Sequence, residues 1–121
     1  MTISIYNCKS QRPNPHNPKH IYCGRKMSAL SASPLGNPFV LGKDGNRDQA
    51  IQLFRQDLWR ALNHQPCDRL NGQAAYDELF RIARIVKDGN PVSLFCWCVP
   101  QPCHCDIIKA AILWLLETDK L

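Results

Sequence analysis

Hydrophobic positions along the chain follow two periods, one typical of strands and one typical of helices. Residues 2–6 alternate and are rich in β-branched side chains, and residues 20–23 form a second short apolar stretch. Residues 92–98 are apolar almost throughout. These three stretches predict strands, and the last is typical of a central strand that is covered on both faces.

Three further segments repeat at the spacing of an α-helix. The first predicted helix begins at a cap provided by Asn46 or Asp44 and ends near residues 63–64. The second covers residues 73–87 and stops at a glycine followed by a proline. The third covers residues 106–117 and is apolar almost all round, so it is expected to be largely buried.

Strands separated by helices indicate the α/β class. With 121 residues, the chain is long enough for one core. We therefore expect a small single-domain layered fold over residues 1–121, with a short, mostly parallel sheet flanked by about three helices. No stretch of eighteen apolar residues and no signal-peptide layout occurs, which predicts a cytoplasmic protein with no membrane contact. The sequence leaves the oligomeric state open.

Positive charge is concentrated in the first part of the chain. Residues 1–47 hold seven Lys or Arg and one Asp, whereas residues 48–121 hold eight Lys or Arg and nine acidic residues. A basic surface favours an anionic partner, which can be a small molecule, a nucleotide or a nucleic acid. The alternative is a solvated surface that only keeps the protein in solution.

Residues 94–106, LFCWCVPQPCHCD, contain four of the seven cysteines and one histidine. They join the last predicted strand to the last predicted helix, and open α/β sheets place ligands at such junctions. An odd number of cysteines in a cytoplasmic chain favours free thiols or metal ligands over a disulfide framework.

Three interpretations of this cluster remain open. In the first, Cys103 is a nucleophile whose thiolate is favoured by the start of a helix, and His104 serves as acid or base. Against this, adjacent residues of a helix do not face each other. In the second, Cys96, Cys98, Cys103 and either His104 or Cys105 hold zinc or an iron–sulfur centre. In the third, Cys96 is a core residue and the Cys103-His104 pair only caps the helix.

A long loop before the first predicted helix is the second candidate element. Residues 33–39, Ser-Pro-Leu-Gly-Asn-Pro-Phe, have the composition of a fixed turn, and the backbone N–H groups of such turns can cradle an anion. Arg25, Ser33, Gly36 and Asn37 are the candidate ligand-binding residues, with Arg25 as a bidentate clamp. The alternative is a rigid surface turn with a structural arginine. Neither a P-loop nor a dinucleotide-binding motif occurs.

These motifs together are similar to an uncharacterised bacterial and phage family, domain of unknown function 4326. The similarity covers residues 21–116 approximately and rests on Gly-Arg, the 33–39 motif, and Cys-Trp-Cys followed by Cys-His-x-Asp. It marks these residues as shared with the family: Gly24, Arg25, Ser33, Pro34, Leu35, Gly36, Asn37, Pro38, Phe39, Cys96, Cys98, Cys103, His104 and Asp106. The family usually has glycine where this chain has Cys105, so Cys105 is less expected as a shared ligand. Cys8, Cys23 and Cys67 lie outside the motifs.

The sequence as a whole predicts a protein that binds a phosphorylated or nucleotide-like ligand. The expected pocket lies between Arg25 with the 33–39 loop and the helix start at Cys103 and His104, and cysteine-based catalysis would extend this function. One alternative is a zinc- or iron–sulfur-binding module, and another is a nucleic-acid-binding or regulatory protein that uses the basic half. The leading hypothesis requires Arg25 and Cys103 to face one pocket.

Overall fold

The computed structural model describes residues 3–26, 30–97 and 103–118. In this part of the chain, strands β1 (Ile3–Asn7), β2 (His20–Tyr22) and β3 (Val92–Cys96) form a parallel sheet in the order β1-β3-β2. The third strand in the chain is therefore central. This confirms the predicted α/β class with a short parallel sheet.

The central strand β3 is buried on both faces. Alternate side chains, Val92, Leu94 and Cys96, belong to the main core that they share with the helices. Phe95 points to the opposite face, where its ring centroid lies 5.5 Å from that of Tyr6 and 5.0 Å from that of His20. Aromatic side chains of the two neighbouring strands thus cover the face that the helices do not.

Three helices complete the described residues: α1 (Arg47–Leu62), α2 (Gly72–Lys87) and α3 (His104–Glu117). Asn46 caps α1, because its side chain accepts the Gln49 N–H while the Gln49 side chain accepts the Asn46 N–H. The predicted third helix begins two residues too late. The predicted third strand, in turn, ends two residues beyond Cys96, and those positions include Cys98, which lies outside the described residues.

None of the helices in the described ranges is long and apolar enough to cross a membrane.

A buried carboxylate fixes the connection between α1 and α2. Asp57 is fully buried and accepts the backbone N–H groups of Asp68 at 2.6 Å, Arg69 at 2.8 Å and Leu70 at 3.0 Å. Arg60 donates a further bond at 3.2 Å. Burial alone would raise the pKa of Asp57, but these hydrogen bonds outweigh it and hold the pKa below its usual range. The ionised side chain therefore ties the connection to α1.

Candidate functional site

A cavity of about 450 Å³ lies at the edge of the sheet where the three parallel strands end. Its lining includes Lys9 shortly after β1, Gly24 and Arg25 shortly after β2, and Cys96 with Trp97 at the end of β3. The carboxyl ends of parallel strands are where open α/β sheets bind ligands. The cavity thus occupies the position that the strand order favours for a site.

The first turns of two helices form a second part of the wall. Arg47 and Ala50 contribute from α1, and Cys103 and His104 contribute from the start of α3. A helix N-terminus carries a partial positive charge and unpaired N–H groups. Both helices therefore favour a negative charge at this end of the molecule.

The cavity combines an apolar wall with cationic side chains. Lys9, Arg25 and Arg47 are the cations of the lining, and none of the described lining residues is Asp or Glu. Apolar surface comes from Phe39, Val40, Leu41, Ile51 and Trp97. The chemistry of this lining suits a ligand with an anionic group and an apolar body.

Arg25 holds the 33–39 loop in place. Its Nε donates to the Asn37 carbonyl oxygen at 2.8 Å, and its Nη2 donates to the Phe39 carbonyl oxygen at 2.9 Å. The guanidinium was expected to clamp an external anion with two donors, but these two donors bind the loop. Its positive charge still borders the cavity.

The backbone N–H groups of the loop do not form the expected anion cradle. Leu35 N–H donates to Ser33 Oγ at 3.0 Å, and Gly36 N–H donates to the Ser33 carbonyl oxygen at 3.0 Å. Phe39 N–H donates to Asn37 Oδ1 at 2.9 Å. For these three amides the expectation is wrong, because the turn satisfies its own donors.

The structure brings together only part of the predicted ligand-binding set. Arg25 and Asn37 line the cavity, whereas Ser33 and Gly36 do not. Gly36 serves the packing of the loop, because a Cβ there would lie 2.9 Å from the Gly24 carbonyl oxygen. That close approach seats the loop on the end of β2.

Cys103 and His104 form a contact that helical geometry would forbid. Cys103 is the N-cap of α3 and has an extended backbone, with φ −140° and ψ 150°. Its side chain therefore turns back, so that Sγ lies 3.6 Å from His104 Nδ1 and accepts the Cys105 N–H at 3.5 Å. The expectation that adjacent residues face apart does not apply, because Cys103 precedes the helix rather than lying within it.

The Cys23 carbonyl oxygen fixes the orientation and tautomer of His104. It lies 2.5 Å from Nε2, and because a carbonyl only accepts, Nε2 carries a proton. The neutral ring then presents an unprotonated Nδ1 to Cys103. Burial alone would lower the pKa of His104, but its contacts with Cys103 and the Cys23 carbonyl raise the pKa above its usual value. A thiol, a base and a group that orients the base are the parts from which cysteine nucleophiles are built.

Three thiols lie together beside this pair. The Sγ atoms of Cys96, Cys103 and Cys105 lie within 4.8 Å of one another, and all three residues are buried; we call them the cysteine group. Hydrogen bonds with the sulfurs of Cys103, Cys23 and Cys96, together with burial, raise the pKa of Cys105. The cysteine group could hold a metal ion.

The cysteine group differs in part from the predicted metal ligands. Cys96 and Cys103 were predicted and belong to it. Cys98 lies outside the described residues, and both ring nitrogens of His104 have other partners. Cys105 belongs to the cysteine group, although the similarity to the family made it a less expected ligand.

Several residues near the site were not predicted as site residues. Lys9, Arg47 and Trp97 line the cavity, and Cys23 supports His104, yet none was among the candidates. The main sequence signal was position, since each lies at or just after the end of a predicted strand or at the start of a predicted helix. In parallel sheets that position alone marks the ligand-binding edge.

No curated protein and no solved structure matches the chain. A family described as Domain of unknown function (DUF4326) matches residues 6–114, which include the whole described lining of the cavity and the cysteine group. The match extends over nearly all of the sequence and confirms the similarity seen in the motifs. The chain belongs to the family of the domain of unknown function DUF4326.

Proposed function

We propose that the protein binds a small phosphorylated or nucleotide-like ligand in the cavity, and that Cys103 attacks this ligand as a nucleophile activated by His104. One observation carries the proposal: the Cys103–His104 pair lines the same cavity as three cationic side chains. Cys103 therefore lies at the wall of the space into which the positive charges would draw an anion.

The anionic character of the ligand follows from the charges around the cavity. Cations at the lining, two helix N-termini and the lack of carboxylates in the described lining all favour negative charge. The cavity is of the size that holds a small organic ligand. Its apolar wall, which includes Trp97, suits a flat or apolar portion such as a nucleobase.

The proposed chemical step uses the pair as it stands. The Cys103 thiol gives its proton to His104 Nδ1, and the resulting thiolate attacks an electrophilic atom of the ligand. As the bond to sulfur forms, the bond to the leaving group breaks, and the imidazolium returns the proton to the leaving group. The Cys23 carbonyl keeps the ring in place throughout, because it accepts from Nε2–H in both protonation states.

Removal of a cationic side chain from the lining should weaken ligand binding. We expect Lys9→Ala and Arg47→Ala each to lower the affinity for a nucleoside monophosphate about tenfold, since a hydrogen bond to a charged group contributes about 1.5 kcal/mol. Isothermal titration calorimetry at low salt, with inorganic phosphate and the four common nucleoside monophosphates, measures this.

The matched control is Lys43→Ala, because Lys43 is exposed and does not line the cavity. This variant should bind like the wild type. If none of these probes binds, or if Lys43→Ala weakens binding as much as Lys9→Ala, the proposed anion site is wrong.

A second proposed function is the binding of a thiophilic metal ion, supported by the three close thiols of the cysteine group. Zinc fits three thiolates better than an iron–sulfur cluster does, because such clusters need four ligands. Elemental analysis of the purified protein tests for a resident ion. Zinc at one equivalent per chain would support a resident ion. Purified protein without zinc would contradict a resident ion and leave only an ion that exchanges with solution.

A further inference from the structure

We propose that the cysteine group is an exchangeable site for a thiophilic divalent cation such as Zn²⁺, and that the bound ion switches off the thiol of Cys103. The ion site stands on the geometry of the sulfurs. The effect on catalysis rests on the function proposed above, because Cys103 belongs both to the cysteine group and to the Cys103–His104 pair.

The sulfurs are close enough for one ion to reach all three. A Zn–S bond is about 2.3 Å long, so two thiolates of a tetrahedral site lie about 3.8 Å apart. The three Sγ atoms already lie within 4.8 Å of one another. If the distances between the sulfurs shortened by about 1 Å or less, they would match those of a tetrahedral zinc site.

The surroundings can balance the charge that metal binding creates. Each thiol loses its proton to solvent as its sulfur–zinc bond forms, so three thiolates and Zn²⁺ carry one net negative charge, and no atom is oxidised or reduced. Cys103 is the N-cap of α3, and Cys96 and Cys103 line the same cavity as the cationic side chains. The helix N-terminus and these cations stabilise an anion in a buried position.

The position of the group favours exchange over permanent retention. Structural zinc sites are closed by four protein ligands, whereas an open site keeps one position for a molecule from outside. Cys96 and Cys103 line the cavity, so the group borders a space that solvent and ligands enter. Cys23, which contacts Cys105, is a further thiol beside the group.

A bound ion would remove the reactive form of Cys103. The lone pair that attacks the ligand would be donated to the metal, and Sγ would no longer exchange a proton with His104 Nδ1. Occupancy of the cysteine group thus opposes the reactivity of Cys103. Zinc availability would set the fraction of active protein.

The experiment uses Cd²⁺ and Zn²⁺ as probes with the full chain. Cd²⁺ binding is followed by the thiolate-to-cadmium absorption band, and the reactivity of Cys103 is followed by its rate of alkylation with iodoacetamide. Fragment masses of the proteolytic peptides distinguish alkylation at Cys103 from alkylation at Cys105. The test variants are Cys96→Ala and Cys105→Ala, each of which keeps the Cys103–His104 pair, and the control is Cys67→Ala, whose thiol bonds the Asp57 carbonyl oxygen instead. Circular dichroism verifies that each variant is folded.

We expect one Cd²⁺ per chain in the wild type and in Cys67→Ala, and affinity at least about tenfold lower in the two test variants, since even supporting residues of metal sites change affinity by that much. Excess Zn²⁺ should slow alkylation of Cys103 at least about tenfold in the wild type and not in folded Cys105→Ala. No cadmium band, or a band that both test variants retain, would overturn the ion site. Cadmium binding without protection of Cys103 by Zn²⁺ would overturn the switch. Nucleotide binding by the metal-free protein is a separate measurement and decides the proposed function independently.

Discussion

Replacement of His104 by glutamine is expected to slow the alkylation of Cys103 at pH 7 by about a hundredfold, the lower end of the contribution of a positioned general base. The ring of His104 is the acceptor at 3.6 Å from the Sγ of Cys103, and its other nitrogen is held by the Cys23 carbonyl. Without the imidazole, the thiol has no base to take its proton. The rate constant for iodoacetamide, measured by peptide mass spectrometry, gives the effect directly.

The pH dependence of the alkylation rate distinguishes loss of the base from loss of access of iodoacetamide to the thiol. Without the imidazole the thiol depends on hydroxide for its ionisation, so the rate in His104→Gln should rise with pH toward that of the wild type. His16→Gln is the matched control, since His16 is exposed and remote in sequence from the site, and it should react like the wild type. A folded His104→Gln variant that reacts as fast as the wild type at pH 7 would show that His104 does not activate Cys103.

Replacement of Asp57 by alanine should lower the free energy of unfolding by about 3 kcal/mol, because it removes a buried carboxylate and leaves several partly buried donors without an acceptor. Three backbone N–H groups of the connection between α1 and α2 converge on this one carboxylate. Urea denaturation followed by tryptophan fluorescence measures the loss. Asp77→Ala is the control, since Asp77 is exposed on α2, and its effect should stay within about 0.5 kcal/mol.

The same carboxylate predicts a pH dependence with a defined sign. The pKa of Asp57 is lower in the folded protein than its ordinary value of about 3.9. The contribution of the ionised side chain to the free energy of unfolding is therefore fully present above about pH 4. It is lost as the pH falls through the lower pKa of the folded state. Between about pH 5 and about pH 2, the free energy of unfolding should therefore decline less steeply in Asp57→Ala than in the wild type. A loss below about 1 kcal/mol at pH 7, or parallel pH curves, would contradict this role of Asp57.

The regular elements could be predicted because each is determined by local pattern. The apolar run of β3 marked it as central, and the two candidate caps Asn46 and Asp44 marked the start of α1, which Asn46 caps. The errors are at the ends of elements that meet the site. There α3 begins at His104 because Cys103 acts as its N-cap, as one of the three interpretations of the cluster expected. The apolar period alone placed the start two residues later, because Ser, Thr, Asp or Asn usually performs the capping role.

The candidate site was predictable only in part, because tertiary contacts decide what its residues do. Arg25 was recognised as important, but its two bonds to the 33–39 loop depend on how that loop packs. Lys9 and Cys23 reach the site only through the order of the strands. The contact of Cys103 with His104 depends on one extended residue before a helix, which no spacing rule anticipates.

The proposed function requires one cavity to hold both the bound anion and the reactive thiol. Its most direct test is the rate of Cys103 alkylation in the metal-free protein with and without the nucleoside monophosphate that binds most tightly. At one hundred times its dissociation constant, that ligand should slow the alkylation of Cys103 by about a hundredfold, because only the unoccupied protein reacts. The rate at Cys67, which does not line the cavity, should stay unchanged. A ligand that binds with full occupancy and leaves the rate at Cys103 unaltered would place the anion elsewhere and contradict the proposed function.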